Sequence, residues 1–273
     1  NRSRPLVPVN PNDLDDLEVA LSSKGGEGAR GGEGIQNIPS NINKADYIKI
    51  PQKRVLISKK ELYKGDQCKY NWEKAIFTLQ ENGLYMPSPD VFMTHFMNVK
   101  QAAEGKTPLK DGNGSDIPIN DAKTLWNYLS STDRKPFNGE TCWTWLDAFF
   151  KKDKTRGIYM ETDHRVVTQG NKKVLQGRGE VTLEAHIADA DGWAELSFSK
   201  QGLANKPSSK NSYVQGSNLY FWYPRENAVA GFCANSDGAL LDCNRDPSFA
   251  NSSLGVFACA GGANEKNLGG SLK

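Results

Sequence analysis

The sequence predicts an α+β fold, with helices concentrated in its first half and strands in its second. Apolar residues recur at helical intervals between residues 72 and 130, whereas two-residue alternation of apolar and polar positions dominates from residue 142 onward. Helices and strands do not alternate along the chain as βαβ units require, so an α+β domain is favoured over a doubly wound parallel sheet.

The composition excludes several classes of partner. The chain has 273 residues, 37% of them hydrophobic, and its net charge is +2 with no basic stripe, so nucleic acid is not an expected partner. No apolar run approaches the roughly 20 residues of a membrane helix, and we expect no membrane-spanning segment. The five cysteines are odd in number and form no CxxC pair, which predicts free thiols.

Residues 1–34 are predicted to form a flexible tail and linker ahead of a single domain over residues 35–273. Prolines interrupt the start of the tail, a short helix is predicted from Leu14 to Leu21, and "KGGEGARGGEG" is too glycine-rich to offset its ordering entropy. Because the chain starts at Asn1, we expect a truncated N-terminus, and localisation at a cell surface, in a virion or in the cytoplasm stays open.

The domain is expected to open with two strands and a helix. The strands are Tyr47–Ile50 and Arg54–Ser58, and the helix lies in "NWEKAIFTLQENG", where apolar residues recur at helical spacing. Ser58 and Glu61 have the spacing of a capping box ahead of that helix.

Two further helices are predicted before the strands. The first follows Ser88 as N-cap, with Pro89 at its first position, and ends at Gly105. The second is "NDAKTLWNYLSS", preceded by a turn in "DGNGSDIP".

The second half predicts strands in "TCWTWLDAFF", "GIYMETDHRVV" and "KKVLQGRGEVTLE", the last two joined by the turn "TQGNKK". Asp191 can cap a short helix that reaches Leu196. Two strands around the turn "NSDG" and a closing strand "LGVFACA" complete the domain.

Two acidic segments are candidate ion or catalytic sites, and neither is favoured. "DGNGSD" begins like a calcium loop at Asp111, but Ala122 stands where the bidentate Glu belongs. In a regular strand Glu161 and Asp163 would point one way and His164 the other, so "ETDH" is predicted to be a charged outer face. With no nucleophile, base or phosphate-loop motif in the chain, no catalytic, metal or cofactor residues are predicted.

Strand alternation divides the C-terminal segment into two chemically different faces. One face is small and apolar, and it consists of Phe232, Ala234, Ala239, Leu241 and Cys243. The other carries an assortment without a pattern, namely Gly231, Cys233, Asn235, Leu240, Asp242 and Asn244. A solvated sheet edge and a binding surface both fit this division.

The segment "LYFWYPRENAVAGFCANSDGALLDCNRDPSFANSSLGV" resembles the variable region of the target proteins of diversity-generating retroelements in archaea and archaeal viruses. The upstream segments "KADYIKIPQKRVLISKKELYKG", "NGLYMPSPDVFMTHF" and "TWLDAFFKKDKTRGIYMETDHRVV" are similar to that family as well. The resemblance implies a C-type lectin-like fold, with two main helices and short, twisted, mostly antiparallel strands, related to the formylglycine-generating enzyme-type fold. It also implies a hypervariable region at about residues 219–262, in which adenines of Asn codons are randomised.

Carried onto this chain, the resemblance implies a ligand-binding protein that is not an enzyme and needs no cofactor. Its ligand would be an unidentified protein or glycan, with a cell surface as one place where it occurs. The diversified, ligand-binding residues would be Gly231, Cys233, Asn235, Asp237, Gly238, Leu240, Asp242, Asn244, Arg245, Asp246, Ser248, Phe249 and Ala250. The scaffold would be Trp222, Phe232, Ala234, Ala239, Leu241, Cys243, Leu254, Gly255 and Val256, and truncation of Trp222 is predicted to cost about 3 to 5 kcal/mol.

Two alternative functions stay open from the sequence. A formylglycine-generating-type oxidase would need a reactive cysteine pair, for which Cys243 and Cys259 are the candidates, although thiols on an apolar face are inert. A calcium-dependent sugar-binding lectin would need Glu-Pro-Asn and Trp-Asn-Asp motifs, which this sequence lacks.

Overall fold

The computed structural model describes Ile35 and residues 37–262, and it has a mixed α+β architecture. The predicted tail over residues 1–34, including the helix from Leu14 to Leu21, lies outside the described residues, as do residues 263–273. Within the described part, the helices precede most of the strands, as the sequence predicts. No helix among these residues has the length and apolar character needed to cross a membrane.

Helix α1 (Trp72–Glu81) begins at Asn71, whose side-chain oxygen accepts a hydrogen bond from the Lys74 amide. The predicted capping box at Ser58 is wrong, because Ser58 ends a strand and its hydroxyl donates to the Lys60 carbonyl. A single asparagine at the helix entry therefore caps α1, and the Ser58 hydroxyl serves a neighbouring turn.

Helices α2 (Pro89–Ala103) and α3 (Ile119–Ser130) match the other two predicted helices. Proline occupies the first turn of α2 after Ser88, whose hydroxyl bonds to the Asp90 carboxylate and makes no capping bond to the backbone. The inner side of α2 buries Phe92 and Phe96, which contact the sheet through Phe232.

The strands form a seven-stranded sheet, a three-stranded sheet and a hairpin. The order in the large sheet is β7-β4-β3-β10-β11-β9-β8, that of the small sheet is β1-β2-β12, and β5 pairs with β6. All paired strands are antiparallel except β9 and β11. The strand bounds are β1 Tyr47–Ile50, β2 Val55–Ser58, β3 Cys142–Asp153, β4 Gly157–Thr162, β5 Arg165–Gln169, β6 Lys172–Gln176, β7 Gly179–Thr182, β8 Gly192–Glu195, β9 Asn218–Trp222, β10 Ala228–Asn235, β11 Gly238–Arg245 and β12 Cys259–Ala260.

Two strand predictions and one helix prediction in the second half need correction. The segment "GIYMETDHRVV" is not one strand, because Asp163 has a φ of 53° and separates β4 from β5. The predicted helix after Asp191 is strand β8, and the Asp191 carboxylate instead accepts from the Tyr223 amide and pairs with Arg225. The predicted closing strand "LGVFACA" is short, since within it only Cys259 and Ala260 form a ladder, with β2.

Two apolar clusters lie on opposite faces of the large sheet. Phe232 and Leu241 belong to the cluster that includes α2 and α3, whereas Trp145 belongs to a second cluster with Trp72 and Val256. The β10 residues from Ala228 to Ala234 are consequently buried on both faces. The second cluster covers only part of its face, and β9 and β11 extend beyond it, where their outward side chains remain accessible.

Candidate ligand-binding surface

Five cross-strand neighbours form a row on the outward face of the sheet, which we name the aromatic row. Trp193 pairs with Tyr220, Tyr220 with Leu240, Leu240 with Cys233, and Cys233 with Trp143. Residues paired in this way project their side chains to the same face. The row therefore crosses β8, β9, β11, β10 and β3, and a tryptophan stands at each end.

A cavity of about 300 Å³ opens on this face, and we name it the β11 cavity. Five of the predicted ligand-binding residues line it, and the remaining lining comes from the start of β3 and the residue before it, from β9 and from the loop after β11. The lining residues are Thr141, Trp143, Trp222, Cys233, Asn235, Leu240, Asp242, Arg245, Asn251 and Ser253. Residues far apart in sequence thus meet around one concavity.

Arg245 is the cationic side chain of the β11 cavity. Its Nη2 lies 3.0 Å from Asp242 Oδ2, and its guanidinium carbon lies 4.9 Å from the Trp143 ring centroid and 5.8 Å from that of Trp145. The side chain is only 10% exposed, so burial lowers its pKa, an effect that Asp242 opposes. Its Nε has no hydrogen-bond partner among the described residues.

Further donors in the β11 cavity lack partners within the described part of the chain. Trp143 Nε1 is buried and makes no hydrogen bond there. The side-chain oxygens of Asn235 and Asn251 each accept a backbone amide at 2.8 Å, from Asp237 and Ser253 respectively. These bonds leave the two side-chain NH₂ groups as donors.

Three of the predicted ligand-binding residues are buried. A Cβ at Gly231 would lie 3.0 Å from Arg245 Nε and 3.1 Å from the Thr144 carbonyl oxygen, so there is no room for a side chain without a local shift. Gly238 is buried with a φ of 110°. Cys233 lies at the cavity with 6% exposure, and burial raises the pKa of its thiol to about 11.

The other predicted residues outside the cavity are exposed, and they lie in the β10–β11 turn, near the end of β11 or in the loop after it. They are Asp237, Asn244, Asp246, Ser248, Phe249 and Ala250. Among them Phe249 contacts the Trp143 ring at a centroid distance of 5.5 Å, which ties the loop to the cavity rim.

The prediction that Trp222 belongs to the buried scaffold is wrong. Trp222 is 38% exposed, lines the β11 cavity and contacts the Tyr220 ring at a centroid distance of 5.2 Å. Since Trp222 pairs with Asp242 in the parallel ladder, it shares the outward face. Alternation within "LYFW" contains this signal, because Leu219 and Phe221 are the buried pair. The other predicted scaffold residues are buried.

Residues at the start of β3 and in the loop after β11 are cavity residues that the sequence patterns do not predict. Thr141, Trp143, Asn251 and Ser253 line the β11 cavity, yet none was a candidate. Asn251 and Ser253 lie within the resembling segment and could have been found there. Trp143 could not, because nothing in the sequence states that β3 pairs with β10.

The charged-face interpretation of "ETDH" is also wrong. Glu161 and His164 are buried, and the turn at Asp163 brings His164 Nε2 to 3.8 Å from Glu161 Oε2. His164 Nδ1 lies 2.6 Å from Asp147 Oδ1, and Glu161 Oε1 accepts from Lys151 Nζ at 2.7 Å. Glu161, His164 and Lys151 line a second cavity of about 760 Å³ beside Trp72.

The cysteines are free thiols, and Cys243 and Cys259 are fully buried. Burial raises the pKa of both thiols, which keeps them protonated at neutral pH. Within the described residues, no group of three or more His, Cys, Asp and Glu side chains is placed to hold a metal ion.

Comparisons of the chain with protein-family models, with curated proteins and with solved structures found no match. What the chain can do is therefore inferred from the residues of the β11 cavity, the exposed residues around it and the resemblance of its C-terminal segment.

Proposed function

We propose that this protein binds a ligand, without catalysis, through the β11 cavity and the exposed residues around it. We further propose that the domain is C-type lectin-like and that this surface is hypervariable, as in the retroelement target proteins that the sequence resembles. The observation that carries the proposal is the convergence of Cys233, Asn235, Leu240, Asp242 and Arg245 on one cavity.

The burial pattern of β11 supports a surface that can vary on a fixed scaffold. Ala239, Leu241 and Cys243 are 0 to 1% exposed, while the intervening Leu240 and Asp242 are half-buried at the cavity. Changes on the outward positions leave the apolar cluster intact, because successive side chains of a strand point to opposite faces. An assortment of residue types is therefore compatible with one fold.

The chemistry of the cavity supports binding over catalysis. The carboxylate of Asp242 is paired with Arg245, and the Cys233 thiol, with a pKa of about 11, is protonated at neutral pH. The oxidase alternative is not favoured, because Cys243 and Cys259 are fully buried and burial raises the pKa of both thiols. Aromatic and arginine side chains, in contrast, are the types that dominate binding surfaces.

A paired library tests the surface assignment. One library randomises the outward residues Leu240, Asp242 and Asn244, and the matched library randomises their buried neighbours Ala239, Leu241 and Cys243 on the same strand. We expect most outward variants and few inward variants to resist proteolysis. For single changes, Leu241→Ala should cost about 2 to 5 kcal/mol of unfolding free energy and Leu240→Ala about 1 kcal/mol or less. Equal loss of folding in both libraries would contradict the proposal.

The retroelement origin has a separate test in the DNA beside the gene. We expect a near-copy of the codons for residues 219–262 that differs at adenines, next to a gene for a reverse transcriptase. If neither is present, the proposal that this surface is hypervariable is wrong. The assignment of the binding surface then depends on the two libraries alone.

A further inference from the structure

The β11 cavity has aromatic walls from two separate strands. Trp143 comes from β3 and Trp222 from β9, and β10 and β11 lie between these strands in the sheet. Neighbouring strands are about 4.8 Å apart, so the two backbones are separated by about 14 Å. The floor between them is formed by Cys233 and Leu240. The exposed indole of Trp222 can contact a ring bound over this floor, since the negative face of an indole attracts C–H groups.

Four donor groups at the cavity lack an acceptor among the described residues. Arg245 Nε and Trp143 Nε1 are buried without partners among the described residues, and Asn235 and Asn251 present NH₂ groups. The one carboxylate is already engaged, because Asp242 Oδ1 accepts from the Asn244 amide at 2.9 Å and Oδ2 pairs with Arg245. A ligand that forms hydrogen bonds with these donors must therefore carry hydrogen-bond acceptors.

We propose that the β11 cavity binds one sugar ring that carries a carboxylate, a uronic acid, either free or as a unit of a polysaccharide. The carboxylate and hydroxyl oxygens accept from the NH₂ groups of Asn235 and Asn251, and a local shift of the buried Arg245 and Trp143 side chains lets Nε and Nε1 donate as well. The ring C–H groups face the Trp222 indole. This inference rests on the proposed function, because it names the ligand class of the same surface. An apolar side chain of a protein partner would desolvate the half-buried NH₂ groups of Asn235 and Asn251 without pairing them, which costs about 1 to 3 kcal/mol for each group.

The proposal is tested by titrating the full chain with D-glucuronate and D-galacturonate in a calorimeter, with D-glucose and acetate as matched probes. Glucose has the ring without the carboxylate, and acetate has the carboxylate without the ring. We expect both uronates to bind and the two control probes to bind at least about tenfold more weakly. A further titration with tetragalacturonate distinguishes the two sources of the ligand. Tighter binding of tetragalacturonate than of D-galacturonate indicates a unit of a polysaccharide, and equal binding indicates a free sugar.

Charge-matched variants locate the binding. Asn251→Asp replaces a donor of the cavity by a carboxylate but keeps the acceptor for the Ser253 amide, whereas Asn120→Asp makes the same change at an exposed position of α3, outside the proposed binding surface. We expect the first variant to lose at least about tenfold in uronate affinity and the second to keep it within about twofold. Trp222→Ala should also lose affinity, and Ile119→Ala, which changes an exposed apolar residue of α3 outside the proposed binding surface, should not.

Several outcomes would overturn the inference. They are no uronate binding by the folded chain, equal binding of glucose or acetate, and equal loss in both asparagine variants. If the uronates fail to bind while the outward library still folds and the DNA near-copy is found, the ligand class is wrong and the proposed function stands. If the libraries fail as well, both fall.

Discussion

At the scale of the residue, Gly238 shows how the backbone can exclude a position from the variable surface. Its φ of 110° lies in a region that residues with a side chain rarely adopt, and an added Cβ would lie 2.3 Å from Cγ of Tyr213. Tyr213 cannot easily move away, because its hydroxyl donates to the Ser130 carbonyl at the end of α3. The residue thus holds the β10–β11 turn against a helix.

We predict that Gly238→Ala destabilises the fold by about 3 kcal/mol or more, through backbone strain and the clash with Tyr213. Asp237→Ala, at the neighbouring exposed position, should change the free energy of unfolding by about 0.5 kcal/mol or less. Urea denaturation followed by circular dichroism measures both. Similar midpoints for the two variants would contradict the role assigned to Gly238.

The same scale shows which site residues the sequence could predict. On β11, alternation separates Leu240 and Asp242 from the buried Leu241, since only one face of this strand is covered. On β10 the rule fails, because both faces are packed and Gly231 and Cys233 are buried although they point outward. A period-two pattern therefore identifies an exposed face only in a strand that is buried on one face and not on both.

At the scale of the element, α1 is fixed to the sheet by polar contacts around His164. Gln80 Nε2 donates to the His164 carbonyl at 2.6 Å, and Gln80 Oε1 accepts from the Val166 amide at 2.8 Å. Trp72 Nε1 donates to the Leu146 carbonyl at 2.9 Å. Asp147 of β3 completes the arrangement, because its two oxygens take the backbone amide and the ring Nδ1 of His164.

We predict that Asp147→Asn destabilises the protein by about 1 to 3 kcal/mol. An amide offers one acceptor oxygen where the carboxylate offers two, so the His164 amide and a protonated ring Nδ1 can no longer both be paired. The matched variant is Asp163→Asn, whose side chain is 47% exposed and pairs with Arg165 on the surface, where such pairs contribute about 0 to 1 kcal/mol. A thermal-melt comparison in which Asp163→Asn is the more damaging change would contradict this role for Asp147.

The break between β4 and β5 explains why this network was not predicted. A period-two pattern runs through "GIYMETDHRVV", and it puts Glu161 and His164 on opposite faces. The left-handed conformation of Asp163 cancels that separation. Asp is among the few residues that tolerate this conformation, but its occurrence in a strand pattern gives no warning of a turn.

At the scale of the whole molecule, the order of the strands decides which distant residues meet. Strand β3 lies between β4 and β10, and β12 pairs with β2 near the start of the domain. The α+β class follows from local periodicity, but this order depends on long-range pairing that no local pattern encodes. The two-sided burial of β10 and the position of Trp143 at the β11 cavity are both consequences of it.

The core of the fold also buries an imidazole that has no hydrogen-bond partner among the described residues. His95 of α2 is fully buried, with ring centroids of Phe92 and Phe257 each 6.0 Å away. Neither ring nitrogen has a hydrogen-bond partner in the described part of the chain. Because burial disfavours the charged form, the pKa of His95 is lowered to about 3.

This burial couples the stability of the fold to pH. The unfolded chain binds a proton at His95 below its ordinary pKa of 6.5, whereas the folded chain does so only near 3, so the stability is complete above pH 6.5 and falls as the pH drops toward 3. We predict that His95→Leu removes the loss of stability that protonation of His95 causes. The free energy of unfolding of this variant should therefore change less between pH 7 and pH 5 than that of the parent protein. His186→Gln, at a side chain that is 62% exposed, should keep the parent slope. Urea denaturation at a series of pH values measures the three slopes, and a His95→Leu slope equal to the parent's would show that this imidazole does not drive acid destabilisation.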